Sequence, residues 1–298
     1  MLNKSAYSAV SSTTMSVRSP QSLIIYPGVN DFVVVASDGM RFHLSRTTLV
    51  STSGFFADMF TVGGGSSSTR SSEEHTVNAS EDHVILDALF SISYSHPEKP
   101  KPDIVTFAQI AELIRVAEKY RMRHALDYLS SHLMLLRIQG TTAVQPFTVT
   151  HPLATLSLSL TYGFSLPARV ALREVVNASN SFWNTTSDDA TLGSFTIDFR
   201  MLQRIHGMRN SRAETYRNFI TRIQRAHNSQ CIACPQDWKA SLLKKFEEAP
   251  DLAAFSVEFH KGWTCGQCGQ NPVLSNHGAF GSFYRDRAAE ENTLPELQ

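Results

Sequence analysis

The stretch DFVVVASDGMRFHLSRTTLVSTSGFFADMF, residues 31–60, decides the fold of this protein. Residues 32–36 form an apolar, mostly β-branched run that predicts a buried strand. Gly39 follows in the sequence Ser-Asp-Gly, and glycine is free to adopt the positive φ of a tight turn. Apolar and polar residues then alternate over residues 40–44, which is the period of a half-buried strand. Together these features predict a β-hairpin that covers a core with one face.

Helices and one short strand are expected after the hairpin. Four apolar residues between Phe55 and Phe60 have helical spacing, and Ser53 is suited to cap that helix. After a Gly- and Ser-rich loop, we expect a short strand over residues 74–78 and a helix over residues 80–90, capped by Ser80. Two further helices are predicted from apolar positions at Ile104, Phe107, Ile110, Ala111, Ile114 and Ala117, and at Leu126, Leu129, Leu133 and Leu136.

The second half of the chain is predicted to be mostly helical. Helices are expected over residues 153–162 and 167–178, and a long helix over roughly residues 199–226. The long helix has one apolar face, made of Leu202, Ile205, Met208, Tyr216, Phe219, Ile220 and Ile223. It also carries seven arginines, at positions 200, 204, 209, 212, 217, 222 and 225. These predict either a surface for phosphate or an acidic partner, or a solvated outer face, which we favour because the apolar face already explains the helix.

Three segments of the chain resemble the BTB/POZ domain. Residues 31–60 are similar to its opening strand, turn and short helix, and the pattern continues in VNASEDHVILDALFSISY and in IAELIRVAEKYRMRHALDYLSSHL. In the last segment, Ala117, Lys119 and Tyr120 match the family's Ala-x-Lys-Tyr helix. The resemblance implies an α+β fold in which a small sheet packs on a helical cluster. The following helical half, from HPLATLSLSL onward, is similar to the region downstream of many fungal BTB domains.

The resemblance also implies a function. BTB/POZ domains are protein-binding scaffolds that often dimerise, and some recruit a cullin-type ubiquitin ligase. Asp31 and Arg46 match positions that form a charged pocket in some family dimers; the alternative is that Asp31 caps the hairpin and Arg46 is solvated. No amphipathic helix precedes Asp31, and no hydrophobic-x-Glu motif lies near residues 91–98. Self-association and ligase recruitment are therefore hypotheses at this point.

All four cysteines fall in two Cys-x-x-Cys pairs, Cys231 with Cys234 and Cys265 with Cys268. Two such turns can supply the four thiolates of a structural zinc site. The 30 residues between the pairs exceed the usual spacing of about 15–20 residues. His227 and His260 are substitute ligands, and reduced thiols or one redox pair are the alternatives to zinc.

Composition excludes several classes of function. Lys plus Arg and Asp plus Glu both number 27, so no basic excess directs the chain toward nucleic acid. The sequence contains no secretory or membrane-spanning apolar run, which leads us to expect a cytoplasmic or nuclear protein. No nucleophile is paired with a base at a recognisable spacing, so we do not expect an enzyme.

The predicted organisation has five parts. These are a disordered tail (1–22), a BTB/POZ-like domain (23–138), a helical domain (148–226), a zinc-binding region (227–283) and a second tail (284–298). The favoured function is a protein-binding adaptor. The alternative is a nucleic-acid-associated transcriptional regulator that uses the zinc region and the arginine-rich helix.

Overall fold

A computed structural model describes residues 23–26, 31–63, 76–94, 102–139, 142–179, 182, 198–228 and 243–244. The chain divides into two compact units. The first unit comprises the described residues up to 103 together with residues 113–125, and the second comprises residues 104–112 and the described residues from 126 onward. The predicted boundaries of the five parts of the chain stay predictions.

The first unit contains a four-stranded mixed sheet. Its strands are β1 (Leu23–Ile25), β2 (Phe32–Val35), β3 (Arg41–Leu44) and β4 (Thr76–Asn78), in the order β1-β3-β2-β4. β2 and β3 are antiparallel, whereas β1 runs parallel to β3 and β4 runs parallel to β2. The predicted hairpin is confirmed, and Gly39 in its turn has a φ of 88°. Alternate residues of β3 are buried, as its apolar period requires.

Aromatic side chains form much of the core under this sheet. The rings of Phe42 and Phe90 meet edge to face, with their centroids 5.4 Å apart. Tyr26 packs edge-on against Phe90 at 5.9 Å, and its hydroxyl donates a 2.6 Å hydrogen bond to Asp87. Such edge-to-face pairs stabilise a core beyond the area they bury, so these rings fix the position of the helix that carries Phe90.

Five helices are described between residues 46 and 132. They are α1 (Arg46–Thr52), α2 (Gly54–Gly63), α3 (His83–Tyr94), α4 (Phe107–Lys119) and α5 (Arg123–His132). The predicted Ser53 cap of α2 is confirmed, because Ser53 Oγ accepts a hydrogen bond from the N–H of Phe56. The predicted Ser80 cap of α3 is wrong. Asp82 caps that helix by accepting the N–H of Ile85 at 3.0 Å.

The described part of the second unit is dominated by helices. After the hairpin of β5 (Arg137–Gln139) and β6 (Thr142–Val144) come α6 (Phe147–Thr150), α7 (Pro152–Tyr162), α8 (Ser165–Asn177) and α9 (Phe199–Asn228). Leu156, Leu172, Val175 and Ile205 are fully buried together in its core. Leu136 was expected on the apolar face of a helix, but α5 ends at His132 and the Leu136 side chain is exposed just before β5. The protein is thus α+β, with a small sheet and helices followed by a helical region, as expected.

Candidate protein-interaction surface

The predicted site residues Asp31 and Arg46 lie side by side at the start of α1. Asp31 Oδ1 accepts a 2.7 Å hydrogen bond from the backbone N–H of Arg46, the first residue of the helix. A carboxylate in this position is favoured by the positive end of the helix dipole. Asp31 therefore satisfies the first N–H of α1, whose N-cap residue is Ser45. Both residues are exposed, so they are accessible to a partner.

The Arg46 side chain lies over an aromatic ring. Its guanidinium carbon is 4.4 Å from the ring centroid of Phe60 in α2, a cation–π contact. This contact connects α1 to α2 and holds the positive charge at the surface. Neither of the two interpretations drawn from the sequence describes this arrangement fully, since the guanidinium is exposed but is packed on a ring.

Apolar side chains are also exposed on α1 and α2. Val50, one turn beyond Arg46 in α1, is 42% exposed, and Val62 at the end of α2 is 83% exposed. Phe55 is seven residues before Val62, so the two share one face of α2. We call Asp31, Arg46, Val50, Phe55 and Val62 the α1–α2 surface. Exposed apolar groups on neighbouring helices are typical of a protein-binding surface.

The backbone beneath this surface is fixed by hydrogen bonds to the end of α4. The N–H groups of Gly54 and Phe55, which open α2, donate to the carbonyls of Arg121 and Tyr120. Ser53 Oγ donates a 2.6 Å hydrogen bond to that same Tyr120 carbonyl. The first turn of a helix has N–H groups without partners inside the helix, and here the end of another helix satisfies them. Helix α2 is therefore held rigidly.

Arg121 adopts an unfavourable backbone conformation at this contact with α2. Its φ of 50° lies in the left-handed region, which is unfavourable for a residue with a β-carbon. Its guanidinium donates to the carbonyl of Gly54 at 3.1 Å and to Asp58 Oδ2 at 2.5 Å. The unusual backbone turn thus places both the Arg121 carbonyl and its side chain against α2.

A buried carboxylate lies on the other side of the same helix end. The Glu81 side chain is only 4% exposed and accepts hydrogen bonds from Lys119 Nζ and from the Tyr120 hydroxyl, both at 2.6 Å. Burial raises the pKa of the Glu81 carboxyl, but the hydrogen bonds from Lys119, Tyr120 and Ser80 outweigh it, so the net pKa is lowered. Burial and the neighbouring Glu81 carboxylate raise the pKa of Tyr120. Local sequence patterns did not indicate this cluster, although Lys119 and Tyr120 stood out through the family resemblance.

Helix α9 contains a second feature that sequence reasoning missed. Arg209 and Arg212 were assigned with the other arginines to a solvated face, but both are buried. Arg209 donates to the carbonyls of Val176 and Ala178, and Arg212 donates to the side-chain oxygen of Asn177. Both arginines therefore bind the carboxyl end of α8. At 100° per residue they fall on the apolar face of α9, a signal that could have identified them.

The metal-site prediction lies outside the described residues. Cys231, Cys234, Cys265 and Cys268 are not described, nor are His260 and the side chain of His227. Within the described residues, no group of three or more His, Cys, Asp or Glu side chains could hold a metal ion.

Among the described helices, none is long and apolar enough to cross a membrane.

The small mixed sheet and its short helices, with apolar and charged side chains exposed on α1 and α2, fit a domain that binds other proteins. The family model of the BTB/POZ domain matches residues 28–134, which include the whole α1–α2 surface. Residues 28–134 are therefore a BTB/POZ domain, as the resemblance implied. A search of curated proteins found none that matches the chain.

Proposed function

We propose that this protein is an adaptor, in which the BTB/POZ domain binds a protein through the α1–α2 surface and the helical half carries a second binding surface. The observation that carries the proposal is the exposure of Val50 on α1 and of Val62 on α2, whose first turn is fixed by hydrogen bonds to the end of α4. A rigid surface loses little conformational entropy when it binds, so the apolar contact that it makes is not offset by ordering. No bond chemistry is required for this role, and we propose no enzymatic activity.

The first partner that we propose is a second copy of the chain. In a two-fold dimer the same surface of each copy faces its counterpart. Val50 and Val62 would then bury apolar area against the partner. Asp31 and Arg46 carry opposite charges and lie beside each other. In a two-fold dimer, Asp31 of each copy would pair with Arg46 of the other.

Light scattering tests self-association of the full chain. We expect the purified protein to have twice the 33.1 kDa mass of one chain. The double substitution Val50→Glu and Val62→Glu should shift it to the monomer mass, because four carboxylates would be buried in each dimer. The matched control is Val84→Glu, which changes a side chain that is 58% exposed on α3; it should leave the mass unchanged.

A monomeric wild-type chain at every concentration would remove the self-association proposal. Proximity labelling in cells, with the wild type and the same variants, then tests the adaptor proposal. The proposal requires that some proteins labelled by the wild type are no longer labelled by the Val50→Glu, Val62→Glu variant but are still labelled by the Val84→Glu variant. Equal labelling by both variants would overturn it.

Recruitment of a cullin-type ubiquitin ligase is a finer proposal. Some BTB/POZ domains do this, and residues 28–134 are a BTB/POZ domain. Binding of a purified cullin amino-terminal domain to the full chain, measured by calorimetry, tests it directly. We place this adaptor in the cytoplasm or the nucleus, where such ligases act.

We also propose that the four cysteines bind one structural zinc ion. The support is their arrangement in two Cys-x-x-Cys pairs, which contain every cysteine of the chain. Thiolates are the ligands of structural zinc sites, and zinc bound in this way contributes to folding. The ion would stabilise the carboxyl-terminal part of the chain and would take no part in a reaction.

A further inference from the structure

The outer face of α9 carries four exposed arginines. Arg200, Arg204, Arg222 and Arg225 lie within a sector of about 60° around the helix axis at 100° per residue. They form two pairs, one at each end of the helix. Arg204 and Arg222 are 18 positions apart, which is about 27 Å along the axis at the rise of an α-helix. We call these four residues and the face between them the arginine face.

The positive charges of this face are not neutralised within the described residues. Arg200, Arg204, Arg222 and Arg225 form no ion pair with a carboxylate of the described chain. Glu214, the acidic residue nearest to the face on α9, is paired with Arg217 at 2.6 Å. Asp198 accepts a hydrogen bond from the backbone N–H of Arg200, not from its guanidinium.

Packing of α9 does not require the arginine face. The opposite side of the helix carries the buried residues Ile205, Tyr216 and Ile220, and it also carries Arg209 and Arg212. Those two arginines are bound to the carboxyl end of α8. The helix is therefore fixed by one side, while four guanidinium groups on the other side remain exposed to solvent.

We propose that the arginine face binds an acidic segment of a partner protein. Guanidinium groups form paired hydrogen bonds with carboxylates, which favours aspartate and glutamate as ligands. Between the two arginine pairs the face carries small or uncharged residues: Gly207, Ser211 and Asn218. A β-carbon placed on Gly207 would meet no atom within 4 Å, so a chain can approach the backbone closely there. The partner segment thus has acidic residues at both ends and a small, uncharged middle.

The same features argue against nucleic acid as the occupant. A duplex presents about one phosphate charge every 1.7 Å along its axis, whereas the middle of this face offers no cation over about 27 Å. Glu214 lies beside that middle section and would repel phosphates. The chain as a whole has no net charge to attract a polyanion. This inference rests on the proposed adaptor function, whose second surface it identifies.

Fluorescence anisotropy with the full chain and a labelled peptide tests the proposal. The probe has about 20 residues, enough to span 30 Å as a helix, with glutamates at both ends and alanine and glutamine between them. We expect the wild-type chain to bind it. The variant R200E/R204E and the variant R222E/R225E should each bind about tenfold more weakly, because each replaces attraction by repulsion.

The matched control is the variant R123E/R169E, which makes the same change in net charge at two exposed arginines of α5 and α8. It should bind the peptide as the wild type does. Within the described part of the chain, none of these six side chains has a partner that packing requires, so circular dichroism spectra should be unchanged.

Four results would overturn the proposal. Three concern the peptide: binding that is absent in the wild type, binding that both α9 variants retain in full, and an equal loss of binding in the control variant. Tighter binding of a 20-base-pair DNA duplex than of the peptide would also overturn it, in favour of nucleic acid. None of these results affects self-association, which is measured through Val50 and Val62.

Discussion

The Tyr120 hydroxyl donates a 2.6 Å hydrogen bond to the buried Glu81 carboxylate, although the two residues are 39 positions apart. The two chain neighbours of Tyr120 add further hydrogen bonds. Lys119 donates to Glu81, and the Arg121 carbonyl accepts the first N–H of α2. The end of α4 therefore binds both the segment that leads into α3 and the helix that presents the α1–α2 surface. Changes at this point should alter stability and protein binding together.

Removal of the Tyr120 hydroxyl should destabilise the protein. In Tyr120→Phe the carboxylate of Glu81 stays buried but loses one of its donors, which costs about 1–3 kcal/mol of the free energy of unfolding. Tyr94→Phe is the matched control, because the Tyr94 hydroxyl donates to an uncharged carbonyl, that of Ser45, at 3.2 Å. It should cost only about 0.5–1.5 kcal/mol. Urea unfolding measures both values, and an equal loss in the two variants would contradict the prediction.

Glu81 should make stability depend on pH in the acid range. Because the folded pKa of Glu81 is lowered below its ordinary value of 4.5, its contribution is fully present above that pH. It is lost as the pH falls below 4.5 and through the folded pKa. The free energy of unfolding of Glu81→Gln, followed by urea titration from neutral to acid pH, should therefore fall less steeply in this range than that of the wild type. The same pH dependence in the variant and the wild type would show that the partners of Glu81 do not stabilise its charged form.

The left-handed backbone at Arg121 predicts different effects for two substitutions. Arg121→Gly removes the strain, worth about 1 kcal/mol, but loses the exposed ion pair with Asp58, worth about 0–1 kcal/mol, and the hydrogen bond to the Gly54 carbonyl. Its stability should therefore stay within about 1 kcal/mol of that of the wild type. Arg121→Val should lose at least about 1 kcal/mol, because a β-branched residue is strained at this φ.

Asp58→Asn separates the two contributions at Arg121, since it removes the ion pair and leaves the backbone unchanged. Its melting temperature should stay close to that of the wild type. A large loss in Asp58→Asn would show that the ion pair dominates, and a gain in Arg121→Val would show that the backbone conformation at residue 121 is not strained.

Arg209 should contribute to stability although it carries a charge. Arg209→Met keeps most of the apolar stem but leaves the carbonyls of Val176 and Ala178 without this donor, at a cost of about 1–3 kcal/mol. Arg204→Met on the exposed side of α9 should change the free energy of unfolding by less than about 0.5 kcal/mol. Thermal and urea unfolding of the two variants should therefore differ clearly. Equal stabilities would place Arg209 among the solvated arginines after all.

The zinc proposal predicts about one zinc ion per chain in purified protein, measured by mass spectrometry of the metal. Less than about 0.2 zinc per chain would remove the proposal, because structural sites bind tightly at neutral pH. Cys265→Ser should lower both the zinc content and the resistance of the carboxyl-terminal part to proteolysis. If the cysteines are only reduced thiols, that variant should behave like the wild type in both measurements.

The sequence by itself determined the hairpin, the order of the helices and the BTB/POZ domain. A period of two residues identifies β3, and a period of 3.6 residues identifies α9, because each pattern records which side of one element meets a core. Asp31 and Arg46 were also predicted as binding residues from the sequence, through their positions in the family pattern, and that role stays a prediction. These features are local or follow from a family motif, so they can be read along the chain.

Only the tertiary structure decided what the polar side chains do. Glu81 and Arg209 look like solvated charges in the sequence, since their partners are 38 and 33 positions away. Whether a charge is buried depends on which donors or acceptors the fold brings to it, and no local period contains that information. The same holds for Arg121, whose backbone conformation is imposed by the helix that its carbonyl binds.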